Sequence, residues 1–358
     1  MLSKDNFSKN HIGHLKESRK VDPVILERSI YALGLLDVLA RVGLPFIFKG
    51  GTAVMLLSES PKRLSTDIDI VVKPGTDVVS FLDEAAKIFP FQKVEQQIRK
   101  GRGNIEKHHY RFTYNSPCSD SDLYILLDIL FEENHYSKTI KMPVRNSLIV
   151  TEEPYSFVTV PTVDSLLGDK LTAFAPHTTG IPFGIGKELE IIKQMFDIAN
   201  LFDLCGNFGD IYESYMMTVN AEISYRGKNI SVEDVLKDSF ETAVCIAGRG
   251  MIGTSYPKLL LGIKALKTYI FDDHFSAEKS LGKACKVMYL VASILKNREI
   301  KHIKDPMIYK NANISASQYS KISFLRKLDI EGFAYAVEAL RIMEGDKIIM
   351  CELNCEVV

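Results

Sequence analysis

Asp67 and Asp69 flank a single isoleucine in the run TDIDIVV, and a third carboxylate, Asp128, stands alone in the apolar run LYILLDILF. Side chains alternate across a strand, so Asp67 and Asp69 must leave the same face. Two carboxylates one strand step apart can hold a divalent cation and repel each other without one. A carboxylate in the middle of residues 123–131 is expensive to bury unless it is hydrogen-bonded or binds a metal. Upstream, Lys49-Gly50-Gly51-Thr52 joins a strand to a short helix. Glycines let a ligand approach the backbone closely, and the N–H groups that open the helix face outward, a seat for phosphate. Each feature alone has a plain structural explanation: a surface pair of acids, a turn, a hydrogen-bonded strand end. Their combination, three carboxylates on neighbouring strands beside a glycine-rich turn, suits two-metal phosphoryl chemistry.

The elements that must position these groups are readable in order. Asp22 suits an N-cap and Pro23 a first helical position, followed by Ile25, Leu26, Ile30, Leu33, Leu36 and Leu39 at helical spacing until Gly43. A strand over 45–48 runs into the glycine turn, with a brief helix over 53–57 and a polar loop carrying Lys62 and Arg63. A second strand over 67–72 ends at Pro74-Gly75. A helix over 78–88, a hairpin over 94–115 turning near Gly101 and Gly103, and a strand over 123–131 complete the set. The first twenty residues read as a mobile or loosely docked arm. Beyond Pro161 nearly everything reads as helix: 164–175, 187–204, 208–220, 232–246, 257–271, 277–296 and 330–343. The fold class is α+β, a small mixed sheet flanked by helices over 1–160 and a helical bundle over 161–358.

Composition excludes several classes. With 44 Lys and Arg against 45 Asp and Glu, the chain has no global basic excess of the kind that coats nucleic acid. At 46% hydrophobic and 25% charged, it is neither disordered nor fibrous. No apolar run reaches the roughly 18 residues of a membrane span. The six cysteines are spread without a CxxC pair, which fits reduced thiols in a cytoplasmic protein. Cys351 and Cys355 lack the neighbours a zinc site needs.

The segment 48–72 resembles the nucleotidyltransferase AbiEii toxin family, which includes the MenT toxins and belongs to the polymerase-β-like nucleotidyltransferases. The resemblance is carried by Lys49, Gly50, Gly51, Thr52, Arg63, Ser65, Asp67, Ile68 and Asp69, and by the lead-in over 22–54. It extends to VDSLLGDKLTAF over 163–174, which places the family's functional lysine at Lys170, and to KQMFDI over 193–198, which matches at Asp197. Gln194 stands where the family carries an acidic residue. The resemblance spans about residues 20–205. It implies a polymerase-β-like catalytic domain that uses an NTP and two Mg²⁺ ions, the metals on Asp67, Asp69 and Asp128. The triphosphate would lie over Gly50, Gly51 and Thr52, with Lys49, Arg63 and Ser65 also binding nucleotide. Lys170 would neutralise phosphate charge, and Asp197 would orient Lys170 or the nucleotide. An NMP would pass to an acceptor hydroxyl at the 3′ end of tRNA, arresting translation. A cognate AbiEi-like antitoxin and a role in phage defence come with the resemblance.

Physics bears separately on some of these residues. Lys170 falls on the apolar stripe of Leu166, Leu167, Leu171 and Phe174, where a lysine wants an anionic partner. Asp197 lies four residues after Lys193, the spacing of an ordinary surface pair. The stretch 97–111 carries Arg99, Lys100, Arg102, Lys107 and Arg111, and on the hairpin it could hold an RNA backbone, with His109 and Tyr110 available for stacking. His108 and His109 make a poor metal pair, because adjacent strand residues face opposite ways. Two other functions fit the same residues: nucleotidyl transfer to a small molecule or a protein hydroxyl, and a nucleotide-sensing module without turnover.

Overall fold

The computed structural model of the chain describes residues 1–17, 19, 21–98, 106–119, 121–226, 229–345 and 348. Among the described residues there are seven strands and twelve α-helices, in two compact units. The first unit comprises Met1–Leu166 with two returning segments, Tyr225–Gly227 and Thr268–Asp273. The second comprises Leu167–Ser224, Lys228–Lys267 and the chain from His274 onward. No described helix is long and apolar enough to cross a membrane.

The first unit is built from α1 (Lys9–Glu17), α2 (Pro23–Arg41), β1 (Ile47–Lys49), α3 (Gly50–Leu57), β2 (Asp67–Val72), α4 (Val79–Ala86), β3 (Phe91–Gln97), β4 (Glu106–Asn115), β5 (Asp122–Phe131), β6 (Thr139–Pro143) and β7 (Phe157–Pro161). The strands form one sheet in the order β3-β4-β5-β2-β1-β7-β6. It is mixed: β2 runs parallel to β5 and β1 parallel to β7, while the other pairs are antiparallel. Asp22 caps α2 through its carboxylate, which accepts from the backbone N–H groups of Val24 and Ile25. The apolar face of that helix, including Leu26, Ile30, Leu33 and Leu36, is fully buried. The core face of the sheet carries Ile68, Ile70, Ile125, Leu127, Ile129 and Phe112. There Tyr31 of α2 stacks on Tyr114 of β4, with ring centroids 3.6 Å apart. Burial, with Glu27 nearby, pushes both phenols well above the ordinary tyrosine range.

Three features depart from the sequence reading. Residues 1–17 are docked rather than loose. Leu2, Phe7 and Ile12 are buried, Leu2 bridges Thr151, and the Asn6 amide both donates to and accepts from the backbone of Val150 at 2.7 Å. Three well-spaced apolar anchors suffice, and the polar residues between them hide the pattern. The hairpin of β6 and β7 has no strong alternation, since much of β6 is exposed, and sequence reading passes over it. The helix expected over 257–271 stops at Leu266. A 3₁₀ turn, Lys267–Tyr269, follows, and the chain then pairs with residues 62–64: Leu64 N–H donates to Tyr269 at 2.7 Å and Phe271 N–H to Lys62 at 3.0 Å.

In the second unit, α6 (Glu188–Phe202), α7 (Phe208–Arg226), α8 (Val232–Ala247), α9 (Tyr256–Leu266), α10 (Lys279–Leu295), α11 (Leu325–Leu328) and α12 (Ile330–Glu344) follow α5 (Val163–Thr172). Ser231 and Asp234 close a capping box at the start of α8. The central element is α10, which packs on α6, α8 and α12 and buries Val287, Leu290 and Val291 completely.

Phe7 tests the docking of the N-terminal segment, because its ring packs edge-on against Tyr31 and Phe89. Phe7→Ala should lower the unfolding free energy by about 3 kcal/mol, read as a lower urea midpoint at unchanged slope. A midpoint equal to that of the unsubstituted chain would mean the segment adds nothing to the core.

Candidate active site

The site is a matter of register. β2 and β5 pair in parallel with Asp67 beside Leu126 and Asp69 beside Asp128, and β1 pairs with β2 so that Lys49 lies opposite Asp69. Paired residues share a face, so Lys49, Asp67, Asp69 and Asp128 project from one side of the sheet. The intervening Phe48, Ile68, Ile70, Leu127 and Ile129 point to the other side and are buried in the core. Asp128 is therefore not an acid sunk in an apolar strand. Its side chain is 37% exposed, and only its sequence neighbours are interior.

The neighbouring strand adds a residue that the sequence offers for stacking on RNA and the structure places against a carboxylate. β4 runs antiparallel to β5 and places His109 opposite Asp128, with Nδ1 at 2.7 Å from Oδ1. The alternation that separates His108 from His109 is what sends His109 alone to the site face. Counting the register of the β4–β5 pair would have revealed it. At the other end of the acidic row, Arg28 of α2 lies 3.7 Å from Asp67 Oδ1, a half-exposed pair of modest strength.

The glycines answer to close approach. Gly50 has φ +81°, and a Cβ there would run into the Asp69 carboxylate. A Cβ on Gly51 would sit 2.7 Å from Ser65 Oγ and 2.9 Å from Arg63 Nη2. So the turn is pressed against one carboxylate, one hydroxyl and one guanidinium, and any side chain would displace them. The helix α3 begins at Gly50 itself, three residues before the sequence-based start. Thr52 is fully buried, and its hydroxyl donates to the Asp67 carbonyl at 2.6 Å, tying the start of α3 to the start of β2. Arg63 is buried too; its Nη1 donates to the Leu64 carbonyl at 2.9 Å. Ser65 N–H points at the Met55 sulfur, 3.1 Å away.

In the second unit, Lys170 Nζ and Asp197 Oδ2 lie 2.9 Å apart, and both side chains are almost wholly buried, at 7% and 1% exposure. Lys193, four residues before Asp197, bonds Glu190 at 3.1 Å. Of the hairpin cations, Arg99, Lys100 and Arg102 lie outside the described residues. Lys107 is exposed at the start of β4.

Among the described residues, no three His, Cys, Asp or Glu side chains converge as a ready-made metal cage. The donor set nonetheless suits a hard divalent cation: Asp67, Asp69 and Asp128 offer carboxylate oxygens from one face, Asp69 and Asp128 from directly paired positions. Ions of this class take few protein ligands and are completed by substrate phosphates and water.

The family described as nucleotidyl transferase AbiEii toxin, type IV TA system, matches residues 35–247, a span that contains every site residue from Lys49 to Asp197. Among solved structures the chain is similar to JHP933 from Helicobacter pylori, at 12% identity and a TM-score of 0.44, covering 76% of this chain and 93% of that one. It is also similar to an antigenic nucleotidyltransferase-like protein from Paracoccidioides brasiliensis, at 15% identity and a TM-score of 0.36, covering 55% and 87%. No curated protein matches. At these scores the structural likenesses are loose, and the assignment rests on the family match over more than half of the chain: this protein belongs to the AbiEii family of nucleotidyltransferase toxins.

Proposed function

We propose that the chain transfers an NMP from an NTP to the hydroxyl at the 3′ end of tRNA, and that it is the cytoplasmic toxin of an AbiE-type pair, held in check by an AbiEi-like antitoxin in phage defence. The observation that carries the reading is the pairing of Asp69 with Asp128 on the face where Gly50 presses against Asp69.

In this reading Asp67, Asp69 and Asp128 would hold two Mg²⁺ ions, Asp128 serving the second, and ions bound there would stabilise charge on the attacking and leaving oxygens of the phosphoryl group. The backbone of Gly50, Gly51 and Thr52, at the N-terminal end of α3, cradles the triphosphate, with Lys49, Arg63 and Ser65 around the same turn. His109 holds Asp128 Oδ1, which leaves Oδ2 to take the proton of the attacking hydroxyl. Lys170, paired with Asp197, neutralises charge that builds on the phosphates. Pyrophosphate leaves.

Two experiments test this. Incubation of the protein with each α-labelled NTP, Mg²⁺ and total tRNA should label the tRNA, and Asp69→Asn should lower the rate by about 10³-fold, on the order of 4 kcal/mol of transition-state stabilisation. Absence of label with every NTP would move the acceptor to a small molecule or a protein, or remove turnover altogether.

The second addresses the buried ion pair. Lys170→Ala should destabilise the fold by about 3–5 kcal/mol, because it removes the cation from beside the buried Asp197 carboxylate. Replacing both partners with apolar residues of similar volume, Lys170→Met with Asp197→Leu, should recover most of that stability, since a buried pair and a packed apolar pair are often equivalent. The double variant should still transfer no NMP. Transfer by it at the rate of the unsubstituted chain would reduce the pair to a structural role.

A further inference from the structure

The face that carries the carboxylates continues past Asp128 onto β4. Arg111 pairs with Leu126 and Thr113 with Tyr124, so Arg111 and Tyr124 lie on the same side of the sheet as Asp67, Asp69 and Asp128. The Arg111 guanidinium sits 4.1 Å from the Tyr124 ring centroid, and that of Arg28 sits 5.5 Å from the same centroid. Among the described residues the Arg111 side chain makes no hydrogen bond or ion pair, and the Nε atoms of both arginines are buried without a hydrogen-bond partner. A guanidinium carries five donors in a planar fork, and a buried donor left unmet is costly. Stacking on Tyr124 fixes the plane of Arg111 without using any of those donors. A fork held rigid with its donors unspent is built to take an anion.

Position along the sheet says which anion. The order is the glycine turn after β1, then Asp69 on β2, Asp128 on β5 and Arg111 on β4. With neighbouring strands about 4.8 Å apart, β4 lies about 10 Å from β2 on the side away from the glycine turn. In phosphoryl transfer the attacking and leaving oxygens lie roughly in line on opposite sides of phosphorus. With the triphosphate over Gly50 and Gly51, the leaving pyrophosphate is on the β1 side and the attacking hydroxyl enters from the β4 side. Arg111, Tyr124 and Arg28 therefore border the acceptor, not the nucleotide. One backbone step before an attacking 3′ hydroxyl, a nucleic acid carries a phosphodiester, whose oxygens match the guanidinium fork. A protein or sugar hydroxyl carries no such fixed anion.

We propose that Arg111, held by Tyr124 and flanked by Arg28, binds the phosphodiester next to the terminal 3′ hydroxyl of an RNA acceptor. The proposal rests on the reading of the site given above, with transfer to an RNA 3′ end. It is tested in steady-state transfer to a tRNA whose last phosphodiester is natural or replaced by a neutral methylphosphonate. Arg111→Gln should raise the KM for natural tRNA about tenfold, and more than it raises the KM for the NTP. Arg111→Lys should recover part of the loss, and Lys141→Gln on β6, which removes the same charge elsewhere on the sheet, should cause less than a twofold change. The methylphosphonate should cost the unsubstituted enzyme about as much as Arg111→Gln does, and cost Arg111→Gln little more. If the methylphosphonate penalises both proteins equally, Arg111 does not touch that phosphate and the proposal fails while tRNA transfer stands. If the unsubstituted enzyme labels no RNA at all, the reading of the site fails and takes the proposal with it. Should Arg111→Gln unfold, the unsubstituted enzyme alone decides: a methylphosphonate end used as well as the natural one overturns the proposal.

Discussion

The parallel pairing of β2 with β5 sets Asp69 beside Asp128, and most of the site hangs on that alignment. A slip of one residue would turn Asp128 into the core and bring Leu127 or Ile129 to the open face. The interior guards against it: Ile68, Ile70, Leu127 and Ile129 are all essentially inaccessible to water, so a slipped register would have to expose them or bury carboxylates. Apolar packing on one face thus enforces acid alignment on the other. The same logic extends outward to β1, which delivers Lys49 and the glycine turn, and to β4, which delivers His109 and Arg111.

Ion pairs in the molecule fall into two kinds. Arg28 with Asp67 is half-exposed and loosely spaced, the sort of contact a ligand can remodel at little expense. Lys170 with Asp197 is closed off from water and tight. A buried pair of that kind is weak evidence for stability, since an apolar pair could fill the same volume. Its retention is better understood through the chemistry proposed for the lysine than through the fold.

How much of this was legible in the sequence varies with the range of the interaction. The shared face of Asp67 and Asp69 was legible because strand alternation is local, and the start of α2 because Asp22 and Pro23 sit at its boundary. The link from Asp128 to His109 was not, because it depends on a hairpin register across residues 109 and 128 that no single segment encodes. Arg111 looked like one more charge in a basic run; only the register shows it stacked on Tyr124 beside the acids. The N-terminal segment was misread because its anchors, Leu2, Phe7 and Ile12, are too sparse to show a period. Family resemblance, by contrast, named Lys170 and Asp197 together before any geometry could show that they touch.

The clip between residues 62–64 and 269–271 has a consequence for how the enzyme comes into being. The loop that leads into Asp67 is fastened by a segment some two hundred positions further along the chain. During synthesis from the N-terminus, the strands of the sheet can emerge and pair while that loop is still unfastened, because its partner has yet to be made. A ribosome must extend the chain past Phe271 before Arg63 and its neighbours can take their final place. For a chain whose family is defined by toxicity, the fastening of this loop therefore waits on a distant part of the chain, and a piece cut off at the end of the sheet would be born without it.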